Sequence, residues 1–218
     1  MLPVYTEWMT RRNLGILIGA SLPAMAQQPD SFMHLPANLP VPLDDGACDH
    51  LPGMKFPSIP LRSTKGRMVN LAEPSSERAI VYAYPRTGAP GTSVPSNWDE
   101  IPGARGCTPQ SCSMRDHYKE VKALGAEIFG LSTQTTEYQK EAVERLHLPF
   151  EILSDVDLKL THALNLPTFT FDGMVLIKRL TLVLTDGKIE KVFYPVFPPD
   201  KHGEQIVAWL KRKTSSHA

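Results

Sequence analysis

The distribution of apolar and polar positions along the chain predicts a mixed α/β domain. Short apolar runs rich in β-branched residues predict strands over residues 56–61, 68–71, 78–84, 126–131, 150–153, 175–184 and 189–194. Apolar positions at helical spacing predict helices over residues 109–124, 136–146, 157–164 and 201–211. Strands that alternate with helices are typical of a partly parallel sheet covered on both faces, and a hairpin turn at Asp186 and Gly187 makes that sheet mixed. We therefore predict an α/β fold with a central mixed sheet flanked by helices, preceded by an N-terminal β-hairpin.

The first 26 residues have the pattern of an export signal. Arg11 and Arg12 precede a short apolar run over residues 13–22, and Ala24 and Ala26 supply a small-residue cleavage pattern. Paired arginines are typical of twin-arginine signals, and the run is shorter than the about 20 residues that a membrane-spanning helix needs. We predict a signal peptide over residues 1–26, export to the periplasm and no membrane span in the mature chain. If this segment is not a signal, the protein stays in the cytoplasm.

Segments rich in proline and polar residues mark the boundaries of the predicted linker, domain and tail. Prolines recur among Asp, Asn and Gln without periodicity over residues 27–52, which predicts a Pro-rich linker. The folded domain is predicted over residues 53–212, followed by a short tail over 213–218. Inside the domain, residues 85–106 form a long polar loop rich in Gly, Pro and Ser.

Composition narrows the class of function. Lys and Arg total 23 and Asp and Glu total 23 among 218 residues, so the net charge is zero and nothing indicates a nucleic-acid partner. Three cysteines are too few for a disulfide scaffold, and an odd number favours cysteine chemistry over cysteine cross-linking. No histidine pair has metal-ligand spacing near a cysteine, so we predict neither a metal nor another cofactor.

Cys107 stands where a reactive thiolate is expected. Thr108 and Pro109 are typical of a helix start, which puts Cys107 at the helix N-terminus. Free backbone N–H groups and the helix dipole stabilise an anion there, and the thiolate is the nucleophilic form of cysteine. The alternative is a buried structural cysteine, but a second cysteine at position 112 favours redox chemistry.

The spacing of Cys107 and Cys112 constrains any bond between them. In an unbroken helix, residues five apart have Cα atoms about 8.6 Å apart, whereas a disulfide needs less than about 7 Å. A disulfide between these residues therefore requires the first turns of the helix to unwind. The sequence predicts a switch that is helical when reduced and locally unfolded when oxidised.

Several motifs together resemble one known family. They are Tyr84-Pro85 at a strand end, Gly106-Cys107-Thr108 with Cys112 at a helix start, Arg115-Asp116, Gly130 to Thr133, Leu153 to Asp155, and Arg179 on a late apolar strand. This set is similar to the Q-type, or bacterioferritin-comigratory, peroxiredoxins of the AhpC/TSA superfamily, over about residues 53–212. The resemblance implies a thioredoxin-like fold.

The resemblance also implies a mechanism. Cys107 would be the peroxidatic cysteine that reduces hydrogen peroxide or organic hydroperoxides, and Cys112 the resolving cysteine that forms an intramolecular disulfide with it. Thioredoxin or a similar dithiol would reduce that disulfide. Arg179 would approach Cys107 and stabilise charge, although a solvent-facing strand residue is its alternative interpretation. We expect a monomer or weak homodimer.

The sequence departs from the family around the nucleophile. The family's threonine three residues before the peroxidatic cysteine is Ala104 here, and the loop before Cys107 is longer than usual. Pro85, Thr87 and Thr108 are the predicted substrate-binding residues, with Thr87 as the first candidate for the missing hydroxyl and Thr108 as the alternative. The insertion over residues 86–106 is interpreted as a lid, a docking surface or a solvated loop.

Three further questions stay open at this level. Cys48 is interpreted as an unpaired bystander, a second reductant-accessible thiol or a metal ligand. A secreted thiol–disulfide exchange protein is the alternative function, although such proteins normally carry C-x-x-C, which the Cys107 region lacks. A copper metallochaperone is a further rival, but Arg179 stands on the late strand where its histidine would be expected.

Overall fold

The computed structural model describes residues 32–73 and 76–215. The signal peptide predicted over residues 1–26 and the last three residues of the predicted tail lie outside the described residues. Within the described residues, no helix is both long and apolar enough to cross a membrane.

The described residues form nine strands and five α-helices. The strands are β1 (Leu61–Ser63), β2 (Met68–Val69), β3 (Arg78–Ala83), β4 (Ala126–Ser132), β5 (Glu151–Ser154), β6 (Thr168–Phe171), β7 (Met174–Ile177), β8 (Leu180–Thr185) and β9 (Lys188–Phe193). The helices are α1 (Cys107–Asp116), α2 (Tyr118–Ala123), α3 (Thr136–Arg145), α4 (Lys159–Ala163) and α5 (His202–Ser215). Short 3-10 helices occupy Trp98–Glu100 and Pro199–Lys201.

Seven strands form one mixed sheet in the order β2-β1-β5-β4-β3-β8-β9. The neighbours β3, β4 and β5 run parallel, whereas β8 runs antiparallel to β3 and to β9. The first two strands pair as an antiparallel hairpin, with Leu61 opposite Val69. The predicted α/β fold with a central mixed sheet and an N-terminal hairpin is therefore confirmed.

The central strand β3 is apolar from Ala79 to Ala83, because the sheet is covered on both faces. Ala79, Val81 and Ala83 pack into one core, and Ile80 and Tyr82 pack into another. The first core also receives α4 and the N-terminal segment, and the second receives α1, α2 and α5. Strands buried on both faces read as continuous apolar runs, which is the pattern that predicted β3.

The long helix predicted over residues 109–124 is wrong as a single element. The structure starts α1 two residues earlier, at Cys107, and interrupts the helix at His117 before α2 begins. The His117 imidazole Nδ1 lies 2.9 Å from the Ser113 carbonyl oxygen, to which the His117 backbone N–H also donates. This local competition for one carbonyl accompanies the break, at a backbone conformation (φ −98°, ψ 2°) outside regular helix.

The strand predicted over residues 175–184 is also wrong as one element. The structure divides it into β7 and β8, with Lys178 and Arg179 at the junction, and pairs β7 with the unpredicted strand β6. Asp172 and Gly173 join β6 to β7 with positive φ angles of 49° and 73°. Two successive residues of this kind are typical of a tight hairpin turn, so the β6–β7 hairpin had a local signal in the sequence.

The described part of the predicted linker packs against the domain. Residues 32–52 contain no helix or strand, yet Cys48 and Leu51 are buried in the first core. Asp45 accepts hydrogen bonds from Lys178 at 2.9 Å and from Tyr194 at 2.8 Å. Burial and the neighbouring Asp carboxylates raise the pKa of Cys48 to about 12, so this thiol is shielded and not readily ionised.

The insertion over residues 86–106 is anchored by an aromatic cluster. Trp98 is buried, and its ring centroid lies 4.8 Å from that of Phe171 and 6.1 Å from that of Phe169. Ala104 and Leu176 complete the buried part of the cluster. The insertion is therefore packed onto the β6–β7 hairpin.

A buried histidine makes stability depend on pH. His202 is fully buried between Thr181 and Gln205, and burial, aided by the charge of Arg179, lowers its pKa from 6.5 to about 4. The unfolded chain therefore binds a proton that the folded chain does not bind between these two values. We expect the unfolding free energy to fall by about 3 kcal/mol as the pH decreases from 6.5 to 4, as measured by urea unfolding. In His202→Gln this part of the slope should be absent, and an unchanged slope in the variant would contradict the assignment.

Candidate active site

Cys107 occupies the first position of α1, two residues before the helix start that the sequence predicts. Gly106 caps the helix with a φ of 101°, a left-handed conformation that favours glycine. A Cβ atom at Gly106 would lie 2.3 Å from Pro199 Cγ and 3.0 Å from Leu35 Cδ2. The glycine is therefore required both by the backbone conformation and by the close approach of these two residues.

The Cys107 sulfur has one cationic and one carbonyl neighbour. The Arg179 Nη2 group donates to Sγ at 3.3 Å, and the thiol in turn lies 3.5 Å from the Ala104 carbonyl oxygen. Only 4% of the Cys107 surface is exposed. The sulfur is thus shielded from bulk solvent, next to a guanidinium and at the positive end of a helix dipole.

Arg179 is held by backbone oxygens. Its Nη2 group donates to the carbonyl oxygens of Gly103, Ala104 and Arg105 at 3.2, 3.2 and 3.0 Å, and its Nη1 group donates to the Gln110 side-chain oxygen. The residue is 3% exposed, and in residues 32–73 and 76–215 no carboxylate pairs with it. A buried cation without an acidic partner is costly, and the Cys107 sulfur lies within its reach, at 3.3 Å from Nη2.

Three buried polar atoms around this cysteine have no hydrogen-bond partner within the described chain. They are Thr108 Oγ1, Gln110 Nε2 and Arg179 Nε. Buried polar groups are nearly always paired, so a cluster of unpaired ones indicates a site that accepts a small polar molecule. Both a donor amide and a hydroxyl are therefore available close to the reactive thiol.

The predicted substrate-binding residues fall into two places. Thr108 follows Cys107 on α1 and is buried with its hydroxyl unpaired. Thr87 is also buried, but its hydroxyl and backbone N–H both donate to Gln134 Oε1, at 3.3 and 3.0 Å. Pro85, after β3, is buried as well. The Thr87 hydroxyl is thus engaged by Gln134, whereas the Thr108 hydroxyl has no hydrogen-bond partner within the described chain.

Cys112 lies one and a half turns along the same helix. It is 8% exposed, packs in the second core and is a free thiol, as is Cys107. Burial raises the pKa of Cys112, an effect that the charge of nearby Arg115 partly offsets. Because α1 is intact from Cys107 to Asp116, the two thiols stay apart in this conformation.

Gln110 is a site residue that the sequence analysis missed. It is fully buried, and its amide oxygen accepts from Arg179 while its amide nitrogen stays unpaired. Its position three residues after Cys107, on the same side of the helix, was the available signal. The carbonyl groups of residues 103–105 had no sequence signal, because backbone oxygens are common to all residue types.

Comparisons with known proteins identify clear relatives. A redoxin family profile matches residues 51–207. A chloroplastic peroxiredoxin Q of Sedum lineare is 32% identical over 160 residues, which cover 73% of this chain and 77% of the relative. Peroxiredoxin Bcp of Escherichia coli K12 is 32% identical over 162 residues, which cover 71% of this chain and 92% of the relative.

Solved structures share the fold. A peroxidoxin BcpB of Mycobacterium tuberculosis superposes with a TM-score of 0.61 and 23% identity, covering 75% of this chain and 98% of that one. A peroxiredoxin Q of Xanthomonas campestris superposes with a TM-score of 0.57 and 20% identity, covering 80% and 97%. These likenesses agree with the expected thioredoxin-like fold.

Proposed function

This chain belongs to the redoxin family, among the Q-type peroxiredoxins, and on that premise we propose that Cys107 and Cys112 are the redox pair of its thiol-dependent peroxidase activity. The observation that carries the proposal is the contact of 3.3 Å between the Arg179 guanidinium and the Cys107 sulfur. The guanidinium is buried without a carboxylate partner in the described chain, so the thiolate is its counter-charge. The alternative function, secreted thiol–disulfide exchange, has no comparable support among the relatives.

In the first step the Cys107 thiolate attacks the terminal oxygen of a hydroperoxide. The O–O bond breaks, a sulfur–oxygen bond forms, and the sulfur becomes a sulfenic acid. The departing oxygen takes up the proton that the thiol released and leaves as water or an alcohol. Arg179 stabilises the negative charge that moves from sulfur to oxygen, and Thr108 and Gln110 supply the unpaired polar groups that orient the peroxide.

In the second step Cys112 attacks the sulfenic acid. The S–S bond forms, and the sulfenic oxygen leaves as water with the thiol proton. The helix must open between the two cysteines, because five-residue spacing in a helix is too long for a disulfide. The C-terminal half of α1 stays attached, since the Gly203 N–H donates to Ser113 Oγ at 3.0 Å. The unwound part is thus residues 107–112.

In the third step a dithiol reductant restores both thiols. One of its sulfurs attacks the disulfide and its second sulfur closes the reductant's own disulfide, so that two electrons return to this chain. The reductant is thioredoxin or a protein of similar chemistry.

We further propose that the chain acts as a monomer or weak homodimer and is exported by the segment 1–26. An exported chain would take its reductant from the compartment to which it is exported.

One equivalent of hydrogen peroxide tests this assignment. We expect the reduced protein to lose two of its three thiols, and peptide mapping by mass spectrometry to find Cys107 linked to Cys112 while Cys48 stays reduced. Because about one and a half turns of α1 unwind, the helical signal in far-ultraviolet circular dichroism should decrease and recover when dithiothreitol is added. The Cys48→Ser variant serves as the control and should behave like the unaltered chain. A disulfide that involves Cys48, or no loss of thiols at all, would rule the pair out.

A further inference from the structure

Arg105 is a second buried arginine next to the reactive thiol, and the proposed reaction does not use its guanidinium group. The residue is 7% exposed and lies two positions before Cys107. Its backbone carbonyl oxygen accepts a hydrogen bond from Arg179 Nη2 at 3.0 Å. Its side chain, in contrast, binds two segments of the chain that lie outside the active site.

The first of these segments is the N-terminal one. Arg105 Nη2 donates to the His34 carbonyl oxygen at 3.0 Å, and Arg105 Cζ lies 5.7 Å from the centroid of the Phe32 ring, a distance typical of a cation–π contact. The segment is attached to the domain a few residues later, because Asp45 binds Lys178 at 2.9 Å. The contact with His34 and Phe32 therefore ties Arg105 to an anchored part of the fold.

The second segment is the insertion. Arg105 Nη1 donates to Asp99 Oδ1 at 3.2 Å, and Asp99 belongs to the 3-10 helix Trp98–Glu100. The Trp98 ring of that helix is buried against the ring of Phe171 in the β6–β7 hairpin. Hydrogen bonds of a guanidinium to a carboxylate are among the stronger ones, so the Arg105 side chain restricts the backbone that carries it.

The stretch around Arg105 has a backbone that needs such restraint. Gly103 and Gly106 flank it with φ angles of 78° and 101°, and glycine is the residue with the most conformational freedom. A Cβ atom at Gly103 would lie 3.6 Å from Pro42 Cβ, and one at Gly106 would lie 3.0 Å from Leu35 Cδ2, so the N-terminal segment also packs on both glycines. The Arg105 side chain adds directional hydrogen bonds between these two packing contacts.

The restrained stretch carries the acceptors that orient Arg179. The carbonyl oxygens of residues 103–105 accept from Arg179 Nη2 at 3.2, 3.2 and 3.0 Å, and the same Nη2 group donates to Cys107 Sγ at 3.3 Å. The contacts therefore run from the Arg105 side chain through its own backbone to Arg179 and then to the sulfur. A misplacement of about 1 Å in an aligned group can cost a factor of about a hundred in rate.

We propose that Arg105 is a positioning residue for the reaction of Cys107, and that it acts by holding the carbonyl oxygens that orient Arg179. This inference rests on the proposed function of Cys107. The Arg105 side chain transfers no proton or electron in this role. Residues 32–35 of the N-terminal segment contribute to the active site through the same contacts.

Arg105→Met removes the hydrogen bonds to His34 and Asp99 but keeps an unbranched side chain in the space. We expect the rate constant of Cys107 sulfenic acid formation with hydrogen peroxide, measured by stopped flow, to fall about tenfold. Arg105→Lys keeps the charge and should lose about threefold. Phe32→Ala should slow the reaction about twofold to threefold, whereas its neighbour Met33, which is 42% exposed, should be replaceable by alanine without effect.

A double-mutant cycle tests whether Arg105 acts through Arg179. In a chain that already carries Arg179→Met, the further change Arg105→Met should lower the rate constant by less than about twofold, because the group that Arg105 positions is absent. Two residues that act independently would instead show the same loss in both backgrounds. An equal loss in both, or no loss in either, would overturn the proposal.

Arg78→Met is the matched control for stability. The Arg78 side chain is 13% exposed and binds the carboxylates of Glu77 and Glu190, at the start of β3, whereas the active site lies beyond the other end of that strand. We expect this variant to unfold at a lower temperature than the unaltered chain, as Arg105→Met does, but to form sulfenic acid within about twofold of the normal rate. If Arg78→Met slowed the reaction as much as Arg105→Met, the effect would be one of stability and the proposal would be wrong.

NMR of the arginine side chains separates this proposal from the function on which it rests. In a chain labelled with ¹⁵N-arginine, the Arg179 signals are those that Arg179→Met lacks, and a guanidinium held by several acceptors rotates slowly and gives separate Nη–H signals. We expect separate signals in the unaltered chain and in Arg78→Met, and merged signals in Arg105→Met. Merged signals in the unaltered chain would overturn the proposal.

The two assignments fail in different ways. If the NMR signals follow the expected pattern while no variant forms sulfenic acid, the positioning assignment stands and the peroxidase assignment fails. If the unaltered chain forms sulfenic acid and Arg105→Met does so at the same rate, the positioning assignment fails alone.

Discussion

Replacing Cys107 by serine should abolish peroxide consumption, with a loss of at least about a thousandfold in kcat/KM. The hydroxyl group of serine does not ionise near neutral pH, so neither the helix N-terminus nor Arg179 can turn it into a comparable nucleophile. Cys107 is buried, with 4% of its surface exposed, and serine is close enough to cysteine in size to fit the same space. The fold should therefore be retained. Peroxide consumption coupled to a dithiol reductant measures the effect, and circular dichroism verifies the fold.

The other two cysteines provide the matched controls. Cys112→Ser should still react once with peroxide, leaving a Cys107 sulfenic acid that dimedone traps, but it should not form the intramolecular disulfide. Cys48→Ser should keep full activity, because Cys48 is buried in the opposite core. If Cys107→Ser retained turnover, or if dimedone labelled Cys112 instead, the assignment of the nucleophile would be wrong.

Replacing Arg179 by methionine should lower the rate constant of Cys107 oxidation by about a hundredfold or more. Loss of one preorganised donor to a developing negative charge typically costs a factor of 10²–10³. The guanidinium also binds three backbone carbonyl groups, so its removal leaves them unpaired and should destabilise the loop before α1. Stopped-flow measurement of sulfenic acid formation gives the rate, and thermal unfolding measured separately gives the stability.

Arg179→Lys separates charge from geometry. Lysine keeps the positive charge but lacks the planar fork that reaches the carbonyl groups of residues 103–105, Gln110 and the sulfur at once. We expect Cys107 in Arg179→Lys to be oxidised faster than in Arg179→Met. On a logarithmic scale, lysine should restore less than half of the rate that methionine loses. A methionine variant that oxidised as fast as the unaltered chain would show that Arg179 only supports the loop.

The local elements of the fold were predictable because their determinants are close together in sequence. The apolar run of β3, the turn at Asp186 and Gly187, and a helix start within two residues of Cys107 all follow from residue patterns a few positions long. The same is true of the five-residue spacing of Cys107 and Cys112. The helix predicted without a break over residues 109–124 is interrupted at His117, and the interaction that accompanies the break, a shared Ser113 carbonyl oxygen, is also local.

The packing of the Pro-rich segment and of the insertion onto the domain was not predictable from local sequence patterns. Their composition predicts irregular structure, and their described residues do contain little helix or strand. Irregular structure does not mean detachment, however, because Trp98 and Leu51 are buried against elements far away in sequence. Burial of a single large side chain in a loop has no periodicity, so no local pattern reveals it.

The sequence by itself predicts the nucleophile, its partner cysteine and the need to unwind a helix between them, because each prediction rests on residues a few positions apart. Only the tertiary structure decided what surrounds the sulfur. Arg179 and Cys107 are 72 residues apart, and they meet because β8 runs antiparallel to β3 and begins beside the loop that precedes α1. The unpaired amide of Gln110 depends on that same meeting. A cavity beside Arg179 is lined by residues 41–43, 101–103 and 194–196, three segments that are distant in sequence. Its shape is a property of their packing, which no single stretch of sequence contains.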